Sequence, residues 1–269
     1  MLKRIALSIL LFLHFLVFSQ QSEILLVSWN IKDFGKTKNS EELNAIADIV
    51  RDVDILAIQE VVAGYGGAQA VAKLTDILNR KGAKWDYVIS NPTNSPKYAT
   101  ERYAFIWKTH LIKIKNRGWL ISELESFIDR EPFLLHFYMD GKQFTVVDYH
   151  SRPYNKNPES EIKALSKYVL DSIKTPVLIA GDFNVEEKMP VFNTLKKSGF
   201  RTAISNQKTT LKWSCERDDY LNYAIDNIFY SKDIHKVEGG VIDFVRFCEE
   251  LEKARKLSDH LPVFLRFKI

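Results

Sequence analysis

The chain has 269 residues, of which 46% are hydrophobic and 27% are charged, and these are ordinary proportions for a globular protein. They predict a packed core within one large domain and exclude a largely disordered chain. The formal net charge of +4 is close to neutral, so composition alone provides no argument for a nucleic-acid partner.

The first twenty residues have the pattern of a secretory signal peptide. Lys3 and Arg4 precede an apolar run over residues 5–18, after which the chain turns polar at Ser19. The run holds about 14 residues, whereas a bilayer span needs roughly 20, and an uncleaved membrane anchor is the alternative. We expect a signal peptide over residues 1–20, one domain over residues 21–269, and a secreted or periplasmic protein without stable membrane insertion.

Short apolar runs predict strands at residues 24–28, 55–58, 87–89, 103–107, 177–180, 224–230 and 261–267. Apolar side chains at helical spacing predict helices around residues 43–50, 70–78, 161–172 and 192–197. A hairpin is expected over residues 133–149, because Asp140 and Gly141 form a pair that suits a tight turn. Together these elements indicate two sheets packed on each other and covered outside by helices.

Cys215 and Cys248 are the two cysteines of the chain. After export they would lie in an oxidising compartment, where a disulfide can form, and two buried free thiols are the equal alternative. Their spacing does not match a zinc site.

Polar side chains recur at the ends of the predicted strands, where hydrophobic packing does not require them. Strand ends in layered α/β folds gather at one edge of the domain, and functional sites collect there. We therefore expect one site to be formed by carboxylates, amides and imidazoles, namely Asn30, Glu60, His150, Asp182, Asn184, Asp226, Asp259 and His260.

This set of side chains suits the hydrolysis of a phosphodiester. Carboxylate and amide oxygens are ligands that Mg²⁺, Ca²⁺ or Mn²⁺ accept, and histidines transfer protons near neutral pH. A metal neutralises the phosphoryl oxygens, while a base activates water and an acid protonates the leaving oxygen. Each residue alone has an ordinary explanation, such as a turn at Asp182 or a cap at Asn184, so the joint occurrence carries the prediction.

Four segments resemble signature blocks of the endonuclease/exonuclease/phosphatase superfamily, namely residues 28–31, 58–60, 181–184 and 258–263. In this order they cover essentially all of residues 23–269. Two further blocks, residues 101–105 and 129–133, are similar to those of deoxyribonuclease I-like nucleases. The resemblance implies an α/β fold, a four-layer sandwich of two packed, mostly antiparallel β-sheets flanked by helices.

The resemblance also implies a metal site and a phosphate site. Glu60 would hold the catalytic metal, with Asn30 and Asp259 nearby. Asp182 and Asn184 would bind the metal or position the scissile phosphate. The expected ion is Mg²⁺, with Mn²⁺ or Ca²⁺ as alternatives.

Acid–base roles follow from the same resemblance. His150 and His260 would be the general acid and base. Glu101 would orient His150, Asp226 would orient His260, and Arg130 would contact phosphate. Each imidazole would thereby gain a carboxylate partner.

Two positions depart from the nuclease pattern. Val61 and Val62 follow Glu60, where deoxyribonuclease I-like nucleases carry an arginine that enters the minor groove of DNA. Asn227 follows Asp226, where those nucleases also carry an arginine. Arg102, Arg117 and Arg152, together with Lys97, are candidates for replacing those phosphate contacts, although each could equally be a surface charge.

We therefore expect a secreted, monomeric, metal-dependent endonuclease that hydrolyses DNA. The main alternative is a phosphoesterase of the same fold that acts on a phospholipid, an inositol phosphate or RNA. A non-catalytic binding module is the third hypothesis, and the presence of every chemical position argues against it.

Overall fold

The computed structural model describes residues 22–96 and 98–269. In chain order the longer strands are β1 (Ile24–Phe34), β2 (Ile55–Val62), β3 (Trp85–Ile89), β4 (Glu101–Lys108), β7 (Phe133–Met139), β8 (Lys142–His150), β9 (Val177–Asp182), β11 (Leu211–Glu216), β13 (Asp226–Tyr230), β14 (His235–Val241) and β15 (Val263–Lys268). The short strands are β5 (Lys113–Ile114), β6 (Trp119–Leu120), β10 (Arg201–Thr202) and β12 (Asp219–Leu221). The α-helices are α1 (Ser40–Val50), α2 (Tyr65–Asn79), α3 (Pro158–Ser172), α4 (Asn193–Lys197) and α5 (Leu251–Leu257).

Two sheets form the centre of the molecule. The first has six strands in the order β14-β15-β1-β2-β4-β3, and the second runs β10-β13-β9-β8-β7-β5 with β6 also paired to β7. Neighbouring strands are antiparallel except for β1 with β2 and β8 with β9, which are parallel. Strands β11 and β12 form a separate hairpin.

Three large apolar clusters explain this layering. One lies between the sheets and contains Phe105 and Phe137, whose rings meet edge to face. A second joins the outer face of the first sheet to α1 and α2, and includes Leu43 and Leu74. A third joins the second sheet to α3 through residues such as Leu165. The arrangement is the predicted four-layer α/β sandwich.

The predicted strands and helices are present, mostly with longer bounds. Asp140 and Gly141 have φ values of 50° and 78°, as expected for the primed turn of the hairpin β7–β8. The cysteines form a disulfide between Cys215 and Cys248. Strand β14, the hairpin β11–β12 and helix α5 were not predicted.

The predicted positions of the site residues need one correction. We expected Asn30, Glu60 and Asp182 just beyond their strands, but all three lie within strands. The reason is that strand pairing continues: β1 remains paired with β2 as far as Phe34. The side chains are therefore held by sheet backbone rather than by loops.

The predicted signal peptide over residues 1–20, and Lys97, lie outside the described residues. Within the part of the chain that the structure describes, no helix is long and apolar enough to cross a bilayer. The domain bounds of 21–269 stay a prediction.

Candidate active site

Both sheets contribute to one polar cluster where their parallel strand pairs meet. Asp182 lies opposite His150 on one side and opposite Asp226 on the other, so β8, β9 and β13 present their polar residues at one level. From the facing sheet, Asn30 Nδ2 donates a hydrogen bond to Asp182 Oδ2 at 3.2 Å. This bond joins the sheets through side chains that are almost completely buried.

Glu60 projects from a bulge in β2. The register of β2 against β4 shifts between Ile58 and Val61, and Glu60 takes a left-handed conformation with φ of 60°. Left-handed backbone is uncommon for a residue with a side chain and often marks a functional position. The bulge aims the Glu60 carboxylate at Asn30 Nδ2, 3.0 Å away, and at the Asp33 backbone N–H, 3.2 Å away.

His150 forms a buried pair with Glu101. Nδ1 of His150 lies 3.0 and 3.1 Å from the two carboxylate oxygens of Glu101, and its backbone N–H donates to the Tyr103 hydroxyl. Burial, together with the nearby Arg130, would lower the pKa of His150, but the Glu101 and Asp182 carboxylates together outweigh them, so the pKa is raised. The pair leaves Nε2 directed at Asp182 Oδ2, 3.5 Å away.

His260 forms the matching pair with Asp226. Nδ1 of His260 lies 2.9 and 3.1 Å from the two Asp226 oxygens, and the Thr209 hydroxyl donates to the same carboxylate at 2.6 Å. Burial disfavours the charged imidazolium and would lower the pKa of His260. The carboxylates of Asp226 and Asp182 outweigh the effect of burial and raise this pKa to about 10. Nε2 of His260 lies 3.8 Å from Asp182 Oδ2.

Asp182 is thus the shared centre of the cluster. Burial and the nearby Asp226 carboxylate raise the pKa of Asp182, while the two imidazoles act in the opposite direction. Its Oδ1 accepts the backbone N–H of Asn184, which has φ of 50°. The turn places the Asn184 amide against the Ser151 carbonyl, at 3.3 Å.

Oxygen donors suited to a divalent cation lie at one side of this cluster. Asn30 Oδ1 is buried and has no hydrogen-bond partner among the described residues, while Nδ2 of the same side chain donates to the Glu60 carboxylate. An unsatisfied buried oxygen on a side chain that contacts a carboxylate fits a hard cation such as Mg²⁺. The ligand atoms of Asp182, Asp226 and His260 also lie within 4.8 Å of one another, which forms a second candidate group.

Asp259, the third predicted metal ligand, contacts two positively charged side chains. Lys32 Nζ lies 3.3 Å and Arg255 Nη2 lies 3.7 Å from Asp259 Oδ2. These contacts offset the charge of the carboxylate, and a metal-ligand role for Asp259 stays a prediction.

The arginines predicted to contact phosphate differ in their protein contacts, and their phosphate contacts stay a prediction. Arg130 Nε pairs with Glu101 at 3.0 Å, and Arg130 Nη1 donates to the Ser151 carbonyl, so it borders the cluster. Arg102 instead donates to the carbonyls of Ala63 and Ser90, which explains it as a structural residue.

Arg152 is also accounted for by structural contacts. It pairs with the fully buried Glu161 at 2.8 Å and with Asp129 at 2.9 Å. Glu161 would be an unpaired buried charge without this arginine.

Three contributors were not predicted from the sequence. Thr209 supports Asp226, Lys32 contacts Asp259, and Trp29 Nε1 donates to the His260 carbonyl at 2.8 Å. Trp29 stands in the block 28–31 and could have been noticed there. A single threonine or lysine carries no such signal.

Comparison with known proteins identifies the family. A sequence model described as the Endonuclease/Exonuclease/phosphatase family matches residues 27–260. The chain belongs to this family. Family membership places it among phosphodiesterases and phosphatases, as the signature blocks predicted.

A relative with a curated name is Deoxyribonuclease-1 of Oryctolagus cuniculus. It is 31% identical over 175 residues, which cover 60% of this chain and 60% of that protein. The match therefore spans less than two thirds of that relative's length.

Solved structures of the family share the fold. An endonuclease/exonuclease/phosphatase family protein from Bacteroides thetaiotaomicron has a TM-score of 0.67 at 18% identity, over 92% of this chain and 98% of that one. A mannosyl-6-phosphatase from the same species has a TM-score of 0.66 at 17% identity, over 91% of this chain and 100% of that one.

Proposed function

We propose that the protein is a metal-dependent phosphodiesterase that hydrolyses DNA. The observation that carries the proposal is the convergence of two histidine–carboxylate pairs on Asp182, beside the oxygen donors of Glu60 and Asn30. Phosphodiester hydrolysis requires a base for water, an acid for the leaving oxygen and stabilisation of the phosphoryl charge.

The histidines supply the proton transfers. The carboxylates of Glu101 and Asp226 hold the Nδ1 side of each ring, so each Nε2 is free to exchange a proton within the cluster. One imidazole acts as base and the other as acid. Glu101 and Asp226 are positioning residues, because they touch the rings and not the substrate.

The remaining polar groups bind the phosphodiester. Glu60 and Asn30, with Asp259 as a third predicted ligand, would hold Mg²⁺, which neutralises charge on the phosphoryl oxygens. The Asn184 amide lies beside Asp182 and is suited to donate to a phosphoryl oxygen. Arg130 borders the cluster through Glu101 and adds positive charge.

DNA is the substrate favoured over other phosphoesters. Support comes from the likeness of the blocks 101–105 and 129–133 to those of deoxyribonuclease I-like nucleases, and Arg130 of the second block contacts Glu101 of the first. The likeness to Deoxyribonuclease-1 supports the same substrate. We also propose that the protein is secreted or periplasmic, on the basis of the leader pattern of residues 1–20, and that it acts as a monomer.

The test compares substrate classes on one preparation of residues 21–269. With Mg²⁺ present, we expect hydrolysis of duplex DNA and no release of phosphocholine from sphingomyelin vesicles or of phosphate from inositol phosphates. Phosphocholine or phosphate release with intact DNA would overturn the choice of substrate. Loss of every activity with the metal present would overturn the enzymatic proposal itself.

A further inference from the structure

A cleft outside the histidine cluster carries an exposed tryptophan. It has a volume of about 490 Å³, and its walls include Lys32, Asp33, Lys38, Trp213, Arg255 and Lys256. We call it the Trp213 cleft. Single exposed apolar side chains are common on protein surfaces, so the 84% exposure of Trp213 alone identifies nothing.

The cleft adjoins the candidate metal site, which indicates that Trp213 can contact a bound substrate. Lys32 contacts Asp259 at 3.3 Å, and the Asp33 backbone N–H donates to Glu60 at 3.2 Å. Both partners are predicted metal ligands. The cleft therefore begins at the carboxylates proposed to hold the metal ion, and a substrate chain whose scissile phosphate lies at that ion can continue into the cleft.

The tryptophan ring is covered by cations on part of its surface. The Arg255 guanidinium lies 4.1 Å from the ring centroid, and Lys32 Nζ lies 5.8 Å from it. Such contacts fix the ring and place positive charge next to it. The rest of the ring faces solvent, where a planar base can stack.

The strand that carries Trp213 is held in place from three directions. The Leu211 backbone N–H donates to the Asp259 carbonyl at 2.8 Å, and Arg255 Nη1 donates to two carbonyls of β11 at 2.9 Å. The disulfide between Cys215 and Cys248 ties the far end of β11 to the segment that leads into α5. A ring held in place before binding loses little freedom on contact with a ligand.

The charge of the cleft decides between two modes of binding. Four cationic side chains line it against three acidic ones, Asp33, Glu42 and Glu252, so the net charge is small. A surface that binds duplex DNA through phosphate contacts alone needs to be strongly basic. A nearly balanced cleft with one exposed ring instead suits a single unpaired nucleotide, whose base stacks while its phosphate meets Lys32.

We infer that the Trp213 cleft binds an unpaired nucleotide adjacent to the scissile phosphate, with its base stacked on Trp213. This inference rests on the proposed function, and it adds a preference for single-stranded or unpaired segments of the substrate. Trp213 is a substrate-binding residue in this account and takes no part in proton transfer.

The test uses Trp213→Ala, Trp213→Phe and the control Trp119→Ala. Trp119 is also exposed, at 42%, but it belongs to β6 and does not line the cleft. The substrates are single-stranded oligothymidylate and the small diester bis(para-nitrophenyl) phosphate. The measured quantity is the ratio of kcat/KM for the oligonucleotide to kcat/KM for the small diester.

We expect Trp213→Ala to lower this ratio by at least about fivefold, because base stacking on an aromatic ring is worth that much per base. Trp213→Phe should retain most of the ratio, and Trp119→Ala should leave it at the wild-type value. An unchanged ratio in Trp213→Ala, with a normal melting temperature, would overturn the inference.

A binding measurement without turnover tests this inference independently of the proposed function. Fluorescence anisotropy of labelled oligothymidylate, measured in EDTA, gives Kd without turnover. If the wild-type protein hydrolyses neither substrate, the proposed function fails, and Kd still decides the cleft. A Kd at least about fivefold weaker in Trp213→Ala supports the cleft, and an equal Kd overturns it.

Discussion

His150 and His260 face the same carboxylate oxygen, Oδ2 of Asp182, at 3.5 and 3.8 Å. Each imidazole is held from behind by its own carboxylate, Glu101 for the first and Asp226 for the second. The cluster thus presents two proton-transfer groups to one point. A phosphodiester placed there would have an acid and a base available together.

His260→Ala should lower kcat by about 10²–10⁴-fold, because proton transfer by a positioned group contributes that much. The fold should be retained, which circular dichroism would check. The exposed His235, on β14, provides a matched control, and His235→Ala should keep wild-type kcat. Near-normal turnover in His260→Ala would contradict the assignment.

Asp226→Asn should lower the pKa of His260. In the wild-type protein Asp226 and Asp182 overcome burial and raise that pKa to about 10, so removal of one charge favours the neutral imidazole. Titration of the imidazole by NMR in EDTA measures the shift, and Asp233→Asn at an exposed site is the control. A pKa unaffected by Asp226→Asn would rule out the pairing.

The same pKa predicts a pH dependence of stability. A histidine whose pKa is raised in the folded state stabilises the fold fully below its unfolded pKa of about 6.5. That contribution is lost as the pH rises to about 10. Urea unfolding of the metal-free protein should therefore show a decline over this window that is smaller in Asp226→Asn.

Glu60→Gln should weaken metal binding without unfolding the protein. The change removes one negative charge from the candidate metal site while the bulge of β2 keeps its shape, and we expect the Mg²⁺ concentration for half-maximal activity to rise about tenfold or more. Glu123→Gln, at an exposed position, is the control. A saturation curve identical to wild type would contradict a ligand role.

Asp148 and Gln59 make a further buried pair, in addition to the two histidine–carboxylate pairs. Gln59 Nε2 donates to Asp148 Oδ1 at 2.5 Å, while Gln59 Oε1 and Asp148 Oδ2 have no partner among the described residues. Burial raises the pKa of Asp148 well above its usual range. A protonated Asp148 carries a hydrogen that it can donate, which the charged carboxylate lacks.

Asp148→Asn should stabilise the protein at neutral pH by about 1–3 kcal/mol, because the carboxyl must there either take up a proton or remain charged with its buried oxygen unsatisfied, whereas the amide is neutral at every pH. A raised folded pKa stabilises below the unfolded pKa of the carboxyl and is lost as the pH rises, so the gain should shrink near pH 4. Thermal melts at both pH values test this. A variant less stable than wild type at neutral pH would mean that the carboxylate is charged.

Most of the layered fold was predictable because the buried strands are apolar runs. Residues 55–58 and 177–180 could be placed from hydrophobicity alone. Strand β14 and the hairpin β11–β12 could not, because their side chains are largely exposed and show no apolar alternation. Those elements are held by sheet pairing, by the disulfide and by α5, which are long-range contacts.

The candidate site shows the same division. Glu60 and His260 stand in recognisable sequence blocks, and Glu101 and Asp226, the carboxylates that pair with the two histidines, followed from the resemblance to a family. The support of Asp226 by Thr209, 17 residues away in sequence, depends on how a loop returns to β13. The Trp213 cleft depends on the unpredicted hairpin, so no local pattern could have indicated it.

Nicking of supercoiled plasmid tests the central claim most directly. Residues 21–269 would be incubated with Mg²⁺ and Ca²⁺, beside samples with EDTA and with His260→Ala. We predict nicked circles only when both the metal and His260 are present. Untouched plasmid from a folded, metal-binding protein would contradict a DNA endonuclease and direct the search to another phosphodiester.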